Sequence, residues 1–139
     1  MTQVNQSPLQ RQMEPIRTIS ENSNVENRPQ MYAALSVGAE GVCTIQVKEW
    51  ERAVTRRVPL IIKVATSAYG VPGLGNASEV AVTDATVDKE LTTDSLQMIT
   101  TDATGLATVT ITSAATETLY LHAQLADGTI SYIDVAFVA

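Results

Sequence analysis

The sequence predicts an all-β chain folded as a β-sandwich, and three observations carry that prediction. From Met31 onward apolar and polar residues alternate with period two, the spacing at which a strand's side chains fall on opposite faces. Turn-forming residues interrupt this alternation at intervals of roughly 8–12 residues, the rhythm of a two-sheet sandwich. No segment beyond residue 30 places apolar residues at helical spacing, and the abundant Thr and Val suit a pleated surface.

Tyr32 to Val37 reads as the first strand and Gly38-Ala39-Glu40-Gly41 as a turn. Val42 to Val47 alternates again, followed by Trp50 and the charged run Glu51 to Arg57. Val58 to Val64 is strongly apolar; Pro59 belongs at a strand entry or edge, because Pro has no N–H to give to a ladder. Ser67 to Ser78, with Gly70, Pro72, Gly73, Gly75 and Asn76, reads as a loop. Val80 to Val82 is a short strand, and Asp84 to Asp94 is polar without a clear pattern. Met98 to Thr101 leads into the turn Asp102-Ala103-Thr104-Gly105. Beyond it Ala107, Val109 and Ile111 share one face, opposite Leu106, Thr108, Thr110 and Thr112. Leu119 to Ala123 and Thr129 to Val138 are joined by Ala126-Asp127-Gly128, a hairpin turn of the Asp-Gly kind. The expected core includes Val109, Ile111, Leu119, Leu121, Ile61 and Val64.

Residues 1–30 stand apart. They are rich in Gln, Asn, Ser, Glu, Arg and Pro, and contain no aromatic residue and no Gly. Their apolar content is too small to offset the entropy of ordering them alone. The chain therefore divides into an extended polar arm, residues 1–30, and a sandwich domain, residues 31–139.

The net charge of −6 argues against general nucleic-acid binding, which needs clustered basic residues. The sign drifts along the chain: three Arg balance three Glu in residues 1–30, residues 31–66 carry five basic and three acidic groups, and residues 67–139 carry one and nine. The acidic half is expected to be solvated or to face a basic partner. No apolar run reaches the length of a membrane span. The first residues have neither the basic nor the apolar region of a secretory signal.

Thr100-Thr101-Asp102-Ala103-Thr104-Gly105-Leu106-Ala107-Thr108-Val109-Thr110-Ile111-Thr112 resembles the turn and following strand of bacterial immunoglobulin-like repeats of the invasin and intimin type. Val80 to Thr83 and Leu119 to Ala123 fall where those repeats have flanking strands, so the resemblance covers roughly residues 58–137. It implies an immunoglobulin-like sandwich and says almost nothing of function, because such modules serve as spacers, adhesins and virion parts alike. A single module behind a polar arm is similar to bacteriophage virion proteins, such as capsid decoration (cement) or tail-associated subunits.

Candidate chemistry is sparse. His122 is the single histidine and sits within a strand, so a structural role is expected. Cys43, the single cysteine, lies in an apolar alternation and reads as a small buried hydrophobe. No Cys/His ligand set exists for zinc, and the spacing of Asp84, Asp88, Glu90 and Asp94 is not that of an EF-hand. Gly70-Val71-Pro72-Gly73-Leu74-Gly75 opens no helix and is followed by no Lys, so a phosphate cradle is not expected. Neither a catalytic site, a cofactor nor a metal is expected.

The expected function is therefore structural: attachment to an assembled capsid or tail in the virion, through contacts with other subunits such as a major capsid protein, in a homo-oligomer or symmetric array. The expected partner-binding residues are Leu9, Met13, Ile16, Ile19 and Val25 as inserted apolar groups and Arg11, Arg17 and Arg28 as ion-pairing groups. Trp50 and Arg52 join them, since Trp and Arg are enriched among binding hot spots. The alternative is an adhesin or carbohydrate-recognition module with the 67–78 loop at its tip.

Overall fold

A computed structural model describes residues 29–33 and 39–138 of the chain. Its strands are β1 (Gln30–Ala33), β2 (Glu40–Gln46), β3 (Lys48–Glu49), β4 (Arg52–Ala53), β5 (Pro59–Ala65), β6 (Ala77–Thr83), β7 (Ala85–Thr92), β8 (Leu96–Thr101), β9 (Leu106–Ser113), β10 (Glu117–Gln124) and β11 (Ile130–Phe137). They form a four-stranded sheet ordered β1-β2-β9-β6, a five-stranded sheet ordered β11-β10-β5-β8-β7, and the small β3-β4 hairpin. All the pairings are antiparallel. This is the two-sheet sandwich that the alternation predicts, of the immunoglobulin-like type that the resemblance implies.

The inner faces supply the core. Cys43, Ile45, Val109 and Ile111 from one sheet meet Ile62, Val64, Ile99, Leu119 and Leu121 from the other. Aliphatic side chains dominate, and Phe137 is the one aromatic among the buried core residues. The two sheets approach closely at Gly41, where a Cβ would stand 2.5 Å from Cγ1 of Val135.

One core expectation is wrong. Ile61 is only half-buried, and Leu60 and Ile62 turn inward instead. Ile61 and Val64 are three residues apart, so the pleat sends them to opposite faces. Ile61 lies on the outer face of the five-stranded sheet with its neighbour Met98.

The patternless segment Asp84 to Asp94 is the edge strand β7, exposed along nearly all its length. A strand that buries neither face needs no alternation. Its register shifts at Val87/Lys89 and Glu90/Thr92, and its charges, blunt an edge that could otherwise recruit another chain.

The two turns singled out in the sequence share one geometry. Gly105 N–H donates to the Asp102 carbonyl and Asp102 N–H to the Leu106 carbonyl; Gly128 and Leu125 repeat the pattern with Leu125 and Thr129. Each is a type I turn closed by a glycine at positive φ, 74° and 93°, the three-residue hairpin with a bulge. The side chain of Asp102 caps its turn, accepting from the N–H of Thr104 at 2.8 Å and of Leu106 at 3.0 Å.

Candidate interaction surfaces

Two surfaces carry side chains that the core does not use. The first is the β3-β4 hairpin. Val47 and Val54 are buried at its base, with Val54 N–H donating to the Val47 carbonyl at 3.1 Å. Between the paired residues Glu49 and Arg52 only Trp50 and Glu51 remain, with φ of 53° and 64°. Positive φ at both central positions defines a type I′ turn, normally filled by Asn-Gly. A bulky Trp there is a genuine outlier. The turn lifts Trp50 to 54% exposure, with the exposed Arg52 beside it. Arg56 pairs with Glu49 at the foot of the hairpin; both groups are well solvated, so the pair adds little stability.

The second surface gathers all four tyrosines of the chain, Tyr32, Tyr69, Tyr120 and Tyr132, and His122. Tyr120 and His122 occupy the outer face of β10, and the β10-β11 register sets Tyr132 opposite His122. The two rings stack with centroids 5.5 Å apart. The 67–78 loop folds back, with Gly73 N–H donating to the Val64 carbonyl at 2.8 Å. That return lays Tyr69 on the sheet, its ring edge-on to Tyr132 at 4.9 Å. Tyr69 N–H donates to Nε2 of His122 at 2.9 Å. His122 is 3% exposed, and burial, reinforced by the nearby Lys63 charge, pulls its pKa below the ordinary value. The acceptor role of Nε2 requires the neutral ring with its proton on Nδ1.

Beside this cluster runs a groove of about 380 Å³ between the starts of β1 and β11, lined by Pro29, Gln30, Tyr32, Tyr69, Ile130 and Tyr132 among others. Pro29 is itself fully buried.

Of the residues expected to bind a partner, Leu9, Arg11, Met13, Ile16, Arg17, Ile19, Val25 and Arg28 lie outside the described residues. Trp50 and Arg52 come together on one hairpin. The tyrosine cluster was not anticipated. Its signal was present: counting back from the Asp127-Gly128 turn pairs Tyr132 with His122. The contribution of Tyr69 depends on the path of a loop.

Cys43 and His122 do not form a reactive pair. The thiol faces the core from the four-stranded sheet, and burial pushes its pKa up to about 11; His122 lies on the outer face of the other sheet. Acidic residues in and beside β7 engage local donors: Glu90 accepts from the N–H of Asp94 at 2.9 Å, and Asp84, just before the strand, from the Thr108 hydroxyl at 3.1 Å. Among the described residues no group of three or more His, Cys, Asp or Glu stands together to hold a metal ion.

The fold and its surfaces define a single immunoglobulin-like sandwich module. No family model matches the sequence and no curated protein does. Among solved structures, a cohesin module from a Clostridium perfringens family 33 glycoside hydrolase is similar, with 12% identity over 78% of this chain and 96% of that chain, at a TM-score of 0.43.

Proposed function

We propose that this protein is a non-enzymatic structural subunit that binds and decorates an assembled bacteriophage capsid or tail through residues 1–28, since Pro29 and Gln30 already belong to the sandwich. The observation that carries the reading is the contrast at Pro29: a fully buried residue fixes the chain at the sandwich corner, immediately after a polar segment with too little apolar content to fold alone. Such a segment gains order from a partner surface, and many weak contacts on a symmetric shell add up by multivalency. The partner is another virion subunit such as a major capsid protein. The Trp50 hairpin supplies a second contact, because a large exposed aromatic held on a rigid turn loses little entropy on binding.

Deletion of residues 1–28 tests this. The melting temperature of the truncated domain stays close to that of the full chain, since every described strand is retained, while co-sedimentation with the shell is lost. Wild-type occupancy by the truncated protein moves the attachment site onto the sandwich and defeats the proposal. The alternative, a recognition module, draws its support from the tyrosine groove.

A further inference from the structure

We infer that the groove between β1 and β11 is a binding site for a neutral saccharide. The chain has four tyrosines and places none in its core. Tyr32, Tyr69 and Tyr132 line the groove at 54%, 66% and 40% exposure. Exposed rings gathered in one concavity are the usual mark of a recognition surface.

The rings are also fixed in advance. Tyr69 holds φ at 58°, a conformation unfavourable for a bulky residue and found where surroundings impose it. Here the imposing group is His122, whose Nε2 takes the Tyr69 N–H. Tyr132 stacks on the His122 ring, and Tyr69 stands at 71° to Tyr132. A ligand meeting this corner does not have to order it, so little binding energy is lost to side-chain entropy.

The lining identifies the ligand class. Its eight residues, Pro29 to Tyr32, Tyr69 and Ile130 to Tyr132, include no charged side chain, although the chain carries a net charge of −6. A charged ligand would be left without an ion pair. Tyrosine offers an apolar face and a hydroxyl that both donates and accepts. A pyranose has the matching surfaces: a face of C–H groups to lie on a ring, and a rim of hydroxyls for the phenol oxygens and the Gln30 amide. The Tyr32 hydroxyl already donates to Oε1 of Gln30 at 3.0 Å, which aligns two polar groups on one wall.

The test is an NMR titration of the full-length chain with chitohexaose, cellohexaose and maltohexaose in turn. At least one sugar should shift the Tyr69, Ile130 and Tyr132 resonances saturably. Tyr69→Ala and Tyr132→Ala should each weaken that binding about tenfold, the equivalent of one aromatic contact. Tyr69→Phe, which keeps the ring, should lose less. Tyr69 lies outside the core, so its variants remain folded, as their amide spectra would show. The inference is overturned if none of the three sugars saturates in the full chain, or if the alanine variants bind as the parent does. It is also overturned if choline or a proline-rich peptide shifts these resonances where no sugar does. The shell-binding assay with Tyr69→Ala is independent, so attachment and sugar binding can fail separately.

Discussion

Tyr69 and His122, 53 residues apart, are joined by a hydrogen bond from the backbone N–H of one to Nε2 of the other. This bond ties the loop between β5 and β6 to the middle of β10. It also makes the loop's placement depend on an unprotonated ring.

Because burial lowers the pKa of folded His122 below its ordinary 6.5, the unfolded chain takes up the proton first as pH falls. Its contribution to stability is present above about pH 6.5 and is lost on acidification toward the folded pKa. Thermal melts from pH 7.5 to 5 should show a drop in melting temperature that His122→Gln lacks. The Tyr69 amide resonance should move over the same range. A melting temperature with the same pH dependence in both proteins would contradict this.

Ile111 and Ile61 should respond oppositely to truncation. Ile111 is fully buried against the facing sheet, so Ile111→Ala should cost about 2–5 kcal/mol in urea unfolding. Ile61 lies on the outer face, and Ile61→Ala should cost less than about 1 kcal/mol, as partly exposed positions do. Equal losses would mean that β5 is turned the wrong way.

At Gly41 the obstacle is steric. Gly41→Val drives a branched side chain into Val135 and Phe137, and overpacking of this kind costs about 1–3 kcal/mol. Adding Val135→Ala should recover part of the loss, which a double-mutant cycle would measure.

The Trp50-Glu51 turn holds two non-glycine residues in the left-handed region. Glu51→Gly should therefore stabilise the domain by up to about 1 kcal/mol. Trp50→Ala should leave the fold intact and reduce shell occupancy. If Glu51→Gly destabilises, the hairpin does not carry that strain.

The sequence by itself determined the strands and their facing wherever one side of a strand is buried. In β9, Ala107, Val109 and Ile111 must share a face whatever the topology, because the pleat alternates and water is excluded from one side. Asp102 and Gly105 likewise fixed their turn, since the capping bonds and the positive φ are local. β7 was illegible for the same reason in reverse: an exposed edge strand imposes no pattern. The tertiary structure alone decided that β11 lies beside β1, that Gly41 sits where the sheets nearly touch, and that Tyr69 reaches His122. Those relationships join residues far apart in the chain, through packing and loop paths that period and composition do not encode.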